Sequence, residues 1–180
     1  VLWNYSNDIP DYKFLKNYKP PVSSKVYSGD GELVADFSKE KRIFVPYSSI
    51  PKNVVNAFLS AEDKNFFSHP GVDAKGVIRA IINNIQNVLT SKRLEGASTI
   101  TQQLVKISSP PGKRNLFTKI REALTARHLE YRWSKEEILT AYLNRLDYGN
   151  HRQGCREAAR FYLSKPLSDL SLGECSLLAG

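Results

Sequence analysis

Apolar residues recur with helical spacing along most of the chain from residue 50 onward. The first stripe, over 54–59, follows Pro51, a residue that suits the first turn of a helix. A longer stripe predicts a helix over 74–89, with one apolar face made of Ile78, Ile81, Ile82, Ile85 and Leu89. This face could pack on a core or lie on a lipid surface, as the apolar face of an interfacial helix does.

Capping signals place the remaining helices. Ser98 can cap a helix that runs to about Ile107. Capping boxes at Ser134–Glu137 and Ser171–Glu174 indicate two further helix starts. The other helices are predicted over 117–132, 135–146 and 154–163.

Strand signals are confined to the first quarter of the chain. Segments 25–28 and 32–37 flank Gly29-Asp30-Gly31, so we predict a β-hairpin, and a short strand over 42–46 is a candidate to extend it. Residues 1–22 are polar and end in two prolines, which is typical of an extended linker. The predicted class is mainly α with a short N-terminal β-hairpin, and the length suits one domain.

Composition adds a basic surface. The formal net charge is +8, of which residues 91–180 supply +6, from 15 basic and 9 acidic residues. Such an excess suits nucleic acid, an anionic membrane or a phosphate-bearing substrate, and equally a merely solvated surface.

The chain starts at Val1, contains no methionine and has no apolar run long enough to span a membrane, so we expect a fragment or processed chain with any anchor upstream. Cys155 and Cys175 lack zinc-type spacing and are expected to be buried free thiols, with a disulfide outside the cytoplasm as the less common alternative.

A pair of acids closes the first predicted helix. Glu62 and Asp63 stand at its C-terminal end, directly before Phe66 and Phe67. Negative charge there opposes the helix dipole, and aromatic surface removes water from a carboxylate, which is the environment of a usable general base. A frayed, solvated helix end is the competing explanation, and from these residues alone it is the more common one.

A second unusual acid is Glu122, which shares an apolar helix face with Ala126, Leu129 and Trp133. A carboxylate on such a face costs free energy unless it is paired or functional. A buried salt bridge to Lys119 or Arg121 is therefore as good an explanation as a catalytic role.

A basic tract lies between the two glutamates. Residues 106–121 contain no acidic residue and five basic ones: Lys106, Lys113, Arg114, Lys119 and Arg121. The tract follows hydroxyls and amides at a predicted helix start, 98–103, where free backbone amides attract phosphate groups. No nucleic-acid motif accompanies it, so nucleic acid is not an expected partner. Two unusual glutamates beside a phosphate-attracting tract indicate sugar chemistry with a phosphorylated leaving group.

Five segments, in order, resemble the motifs of the peptidoglycan glycosyltransferases (glycosyltransferase family 51), found in class A penicillin-binding proteins and in monofunctional glycosyltransferases. They are Glu62-Asp63-Lys-Asn-Phe66-Phe-Ser-His69-Pro-Gly71, Gly96-Ala-Ser98-Thr-Ile-Thr-Gln102-Gln103-Leu-Val-Lys106, Lys119-Ile-Arg121-Glu122, Lys135-Glu-Glu-Ile-Leu-Thr-Ala-Tyr142-Leu-Asn144 and Gly154-Cys-Arg-Glu-Ala158-Ala159-Arg-Phe-Tyr162-Leu-Ser-Lys165. Three positions depart from the family: Thr118 stands for arginine, Ser164 for glycine and Cys155 for an aliphatic residue.

The resemblance implies a lysozyme-like α fold with a small membrane-proximal jaw lobe. The jaw would span about 76–116 of a glycosyltransferase domain over 23–180 whose C-terminal helices are truncated. It implies a location at the outer, periplasmic face of the cytoplasmic membrane, with an N-terminal transmembrane anchor. A C-terminal transpeptidase domain and cell-wall synthesis proteins are candidate partners.

The substrates implied are lipid II and the growing glycan chain, joined with inversion and release of undecaprenyl pyrophosphate. Glu62 would be the general base, and Glu122 would orient the basic residues or hold a divalent metal, Mg²⁺ or Mn²⁺. The residues implied in substrate binding are Asp63, Phe66, Arg79, Ser98, Thr99, Gln102, Gln103, Lys106, Arg114, Lys119 and Arg121.

The sequence is also compatible with two other functions. A lysozyme-like lytic enzyme also uses a glutamate, although a hydrolase needs no cationic tract for a diphosphate. A catalytically impaired module that binds membrane or a scaffold protein is the other, because Thr118 removes a basic residue from the third motif. Binding of the phosphoglycolipid inhibitor moenomycin would distinguish a competent donor site from an impaired one.

Overall fold

A computed structural model of the chain describes residues 25–36, 41–89, 96–109 and 115–180. The helices within these ranges are α1 (Lys52–Glu62), α2 (Ala74–Leu89), α3 (Ile100–Ser108), α4 (Leu116–Glu130), α5 (Lys135–Arg145), α6 (Cys155–Leu163) and α7 (Leu172–Ala179). Single 3-10 turns at Tyr47–Ser49 and Leu167–Asp169 precede α1 and α7. The predicted mainly α class is confirmed. The predicted linker over 1–22 and Arg114 lie outside the described residues.

The strands form two small sheets in the described part of the chain. β1 (Lys25–Tyr27) pairs antiparallel with β2 (Leu33–Asp36), whereas β3 (Lys41–Arg42) pairs in parallel with β4 (Arg152–Gln153). The expectation that a strand over 42–46 extends the first sheet is therefore wrong. Beyond β3 the Asn144 side chain takes over the role of a neighbouring strand, because it accepts a hydrogen bond from Val45 N at 2.7 Å and donates one to Val45 O at 2.8 Å.

The hydrophobic core is built from the faces of α1, α3, α4, α5, α6 and α7. α1 packs on α7, and α3 packs on both α4 and α5. The apolar stripe of α1 is buried as its spacing predicts, and Phe58 is fully buried. Other fully buried side chains are Leu104, Leu129, Ile138, Leu139 and Leu143. This packing fixes the C-terminal end of α1 relative to α3 and α5, where the candidate site residues lie.

Gly71 allows the turn between α1 and α2 to pass directly over α4. Its φ is +94°, and a Cβ at this position would lie 2.8 Å from Ala126 O. Thr99 Oγ1 donates a hydrogen bond to Gly71 O at 2.6 Å. The turn is thereby fastened to the backbone of α4 and to the start of α3.

Local hydrogen bonds fix the helix ends. The capping boxes at Ser134 and Ser171 are confirmed. Thr99, not Ser98, caps α3, because its hydroxyl accepts from Gln102 N while the Gln102 side chain returns to Thr99 N. Ser164 ends α6 in the left-handed conformation, with φ of +54°. That conformation explains why glycine is usual at this position of the family.

The apolar face of α2 stays open among the described residues. Ile78, Ile82 and Ile85 are 60%, 55% and 60% exposed. None of the described helices combines the length and the apolar composition needed to cross a bilayer. Cys155 and Cys175 are both buried and unpaired.

Candidate active site

The two acids at the end of α1 face different surroundings. Glu62 is exposed, and its Oε2 accepts a hydrogen bond from Gln103 Nε2 at 2.5 Å. Asp63 is buried, and its Oδ2 lies 2.9 Å from His69 Nε2 and accepts from Ile100 N at 3.0 Å. Asp63 therefore connects the end of α1 to the first turn of α3. The neighbouring Glu62 side chain is exposed at the same end of α1.

The aromatic pair does not remove water from Glu62 as the sequence led us to expect. The turn after Asp63 sends Phe66 into the core, where it is fully buried, and leaves Phe67 exposed. The Phe66 ring meets the His69 ring edge-on at 6.2 Å between centroids, and Lys135 Nζ lies 4.4 Å from the Phe66 centroid. Phe66 thus packs in the core against His69, the partner of Asp63, and does not line the cleft.

A cavity of about 610 Å³ opens beside Glu62. It is bounded by the end of α1, the first half of α2 and the segment before α3. The predicted site residues in its wall are Glu62, Asp63, Arg79, Ser98 and Thr99. The structure therefore brings together residues that are up to 37 positions apart in the sequence.

Five further polar residues of this wall were not among the predicted site residues: Ser60, Lys64, Asn65, Asp73 and Asn83. Asn65 Nδ2 donates to Asp73 Oδ2 at 3.0 Å, and Gly76 N donates to Asp73 Oδ1 at 2.9 Å. These hydrogen bonds, with the charges of His69 and Arg79, lower the pKa of Asp73 from its usual value. The available signal was the acid one residue before a predicted helix, a common capping position.

At the start of α3, some side chains stabilise the helix end and others face the cavity. Thr99 and Gln102 are occupied by the capping box. The Ser98 hydroxyl instead accepts a hydrogen bond from Lys119 Nζ at 3.1 Å. Ser98 therefore brings a cation from α4 to the edge of the cavity.

Lys119 also settles the partner of Glu122. Its Nζ lies 2.9 Å from Glu122 Oε2, so the ion pair expected with Lys119 or Arg121 is made with Lys119. Lys106 and Arg121 are exposed on α3 and α4, and neither is among the described residues that line the cavity. Of these basic residues, Lys119 is therefore connected to the cleft through Ser98. Lys106 and Arg121 lie on the surface outside the cavity wall.

The fit of a divalent metal depends on Glu122. No group of three or more His, Cys, Asp or Glu side chains that could hold an ion occurs among the described residues. Glu122 Oε2 is buried and makes no hydrogen bond, although it lies within ion-pair distance of Lys119. One such carboxylate fits Mg²⁺, which is often bound by one or two carboxylates together with substrate phosphates and water.

The sequence is similar to a known protein family and to several known proteins. The model of the Transglycosylase family matches residues 30–180. Penicillin-binding protein 1A of Rickettsia felis is 42% identical over 179 residues, which cover 99% of this chain and 23% of that protein. The Aquifex aeolicus protein of the same name is 39% identical over 175 residues, covering 97% of this chain and 24% of that protein. The one from Pseudomonas aeruginosa is 38% identical over 176 residues, covering 97% and 21%.

The chain spans less than a quarter of the length of these relatives. The family match runs through all five motif segments, from Glu62 to Lys165, and through the cleft that they build. The chain therefore belongs to the Transglycosylase family, the peptidoglycan glycosyltransferases that its motifs resemble.

Proposed function

We propose that this domain polymerises lipid II into glycan strands, with inversion at the anomeric carbon and release of undecaprenyl pyrophosphate. One observation carries the proposal: the Glu62 carboxylate, held by Gln103, shares a cavity with Arg79 and with Ser98, to which Lys119 is bonded. A base and preorganised cations at one cleft are what transfer from a diphosphate to a sugar hydroxyl requires.

In the proposed step Glu62 accepts the proton of the acceptor's C4 hydroxyl. The oxygen then bonds to the donor's anomeric carbon, and the bond from that carbon to the diphosphate breaks with its electron pair. Negative charge grows on the leaving diphosphate, and fixed cations stabilise it more than they stabilise the ground state. Arg79 and Lys119 are the nearest candidates, and Lys106, Arg114 and Arg121 would contribute from the flanking basic tract.

Glu122 is proposed to keep Lys119 in place through the 2.9 Å ion pair. If the reaction uses a divalent metal, Glu122 would give it one carboxylate oxygen, and the ion would supply positive charge at the diphosphate. Asp63, Phe66, Thr99 and Gln102 would act by fixing the shape of the cleft, since their contacts are with the protein.

The proposed setting is the periplasmic face of the cytoplasmic membrane, in a lysozyme-like fold whose jaw lobe lies at about 76–116. The exposed isoleucines of α2 support contact of this lobe with lipid. The relatives are about four times longer than this chain, which supports a further domain, and we propose that it is a transpeptidase.

Glu62→Gln tests the assignment of the base. The substitution keeps the size and a hydrogen-bonding group but cannot take a proton, so we expect glycan polymerisation to fall at least about 100-fold. The measurement is polymerisation of purified lipid II, with and without Mg²⁺. Glu136→Gln is the matched control, because Glu136 is an exposed glutamate in the first turn of α5.

Unchanged thermal unfolding and retained moenomycin binding would show that the Glu62→Gln variant is folded with an intact donor site. Polymerisation at the rate of the Glu136→Gln control would refute Glu62 as the base. Cleavage of purified glycan strands by the unmodified protein would favour a lytic function instead.

A further inference from the structure

Gln103 lies in the middle of a chain of three polar side chains that come from three helices. Its Nε2 donates to Glu62 Oε2 at 2.5 Å, and its Oε1 accepts from the Tyr142 hydroxyl at 3.0 Å. Glu62 ends α1, Gln103 is in α3 and Tyr142 is in α5. The family motifs that supply these residues are separate in sequence, and only packing joins them.

Tyr142 is a fixed point in the core. Its side chain is 1% exposed, and its ring meets Phe58 edge-on, with 6.3 Å between centroids. Burial, and then the nearby charge of Glu62, raise the pKa of Tyr142 well above its usual value. The hydroxyl therefore stays protonated at neutral pH and can donate to Gln103.

The two ends of the Gln103 amide are chemically different, and Tyr142 determines which end faces Glu62. A hydroxyl that donates selects the amide oxygen, so the amide nitrogen must point toward the carboxylate. If the amide were reversed, its oxygen would face the carboxylate oxygen and repel it. Without the hydrogen bond from Tyr142, the Gln103 side chain would also populate other rotamers, so the orientation that bonds to Glu62 would be occupied less often.

We propose that Tyr142 and Gln103 are positioning residues that hold Glu62 in one orientation for proton transfer, an inference that rests on the proposed function of Glu62. Gln103 carries out this role by direct contact with the base, and Tyr142 acts through Gln103. The role differs from the donor binding implied for Gln103 by the family resemblance, since both ends of its amide are engaged by protein groups.

Tyr142→Phe is the primary test, because it removes one hydroxyl and keeps the ring in the core. A misplaced base slows the chemical step without weakening substrate binding, so we expect kcat for lipid II polymerisation to fall about 3- to 10-fold and KM to stay within about twofold. The matched control is Tyr148→Phe. The Tyr148 hydroxyl is also buried but has no hydrogen-bond partner among the described residues, so kcat should be unchanged.

A double-mutant cycle with Gln103→Met then separates positioning from general loss of packing. Methionine keeps the length of the side chain, cannot donate to Glu62 and is only a weak acceptor for the Tyr142 hydroxyl. If Tyr142 acts through Gln103, Tyr142→Phe should lower kcat in the original protein and have no further effect in the Gln103→Met background. Equal kcat losses in both backgrounds would overturn the inference.

Two further outcomes would also overturn it. One is a kcat for Tyr142→Phe equal to that of Tyr148→Phe. The other is a raised KM with unchanged kcat, which would return Gln103 to substrate binding. All these results are independent of Glu62→Gln: a fully active Glu62→Gln variant would refute the proposed base itself, whereas failure of the Tyr142 test would leave the base assignment standing.

Discussion

Neighbouring side chains in the second motif carry different tasks. Ser98 faces the cavity while Thr99 caps α3, and Gln103 reaches Glu62 while Gln102 closes the capping box. Gln102 and Gln103 lie in α3, where each step along the helix turns the side chain by about 100°, so these two neighbours point to different surroundings. The same division separates Glu62 from Asp63 at the end of α1.

Gly71 occupies a position where even one added methyl group should destabilise the fold. We expect Gly71→Ala to lower the free energy of unfolding by about 1–3 kcal/mol, because alanine at positive φ is strained and its Cβ would meet the α4 backbone. The measurement is thermal unfolding followed by circular dichroism.

Gly173→Ala is the control for this substitution. Gly173 lies inside α7, and a Cβ added there would meet open space, so alanine should be neutral or slightly stabilising. Equal unfolding temperatures for the two variants would show that the close approach of the turn to α4 is not needed.

At the scale of a single element, a charged side chain, Glu174, stabilises the start of α7. Glu174 receives hydrogen bonds from Lys165 Nζ at 2.7 Å and from Ser171 N at 2.8 Å. These bonds, led by the one from Lys165, lower the pKa of Glu174 from 4.5 to about 2. Since α7 packs on α1, the anchoring of α7 bears on the helix that ends in Glu62.

The lowered pKa sets the sign of a pH dependence. The ionised form of Glu174 is favoured in the folded state, so its stabilisation is present above the unfolded pKa of 4.5 and is lost as the pH falls toward about 2. We expect the unmodified protein to melt at a higher temperature than Glu174→Gln at about pH 6, this gap to shrink as the pH falls below 4.5, and the gap to close only below about pH 2.

Melting temperatures across this range provide the measurement. Glu136→Gln is the control, because it removes a negative charge at the start of another helix, α5. A gap for Glu174→Gln that is constant with pH would contradict the role of its charge.

At the scale of the whole molecule, charge and exposed apolar area act together. The chain carries a net charge of +8, and α2 presents Ile78, Ile82 and Ile85 on one open face. An apolar helix face combined with a basic protein is typical of binding to an anionic lipid surface. A substrate that carries a lipid would be met at such a surface.

Replacement of Ile78, Ile82 and Ile85 by serine should therefore weaken binding to vesicles containing anionic phospholipid by at least about tenfold. Each substitution removes apolar surface that the isoleucine would transfer from water into the lipid. Sedimentation with vesicles measures the effect. Leu177→Ser is the control, because Leu177 on α7 is 71% exposed but belongs to no such face. Equal binding by both variants would exclude α2 as the lipid contact.

Much of the fold and the family followed from local patterns. The stripe of α1, the capping boxes at Ser134 and Ser171, the mainly α class and the family assignment are confirmed, because spacing, caps and motifs are encoded by residues close together in the chain. The prediction that a strand over 42–46 extends the hairpin was wrong, because β3 pairs with the distant β4 and Val45 bonds to the Asn144 side chain, 99 residues away. The roles of the site residues remain predictions.

The sequence by itself determined which residues form the motifs and that two glutamates accompany a basic tract. Only the tertiary structure decided that Phe66 turns into the core and leaves Glu62 exposed, that Lys119 and not Arg121 pairs with Glu122, and that Tyr142 reaches Gln103. The physical reason is that helical propensity and caps act over a few residues, whereas the direction of a side chain depends on which helix packs against it. That packing joins α1, α3 and α5 across about 40 residues each time.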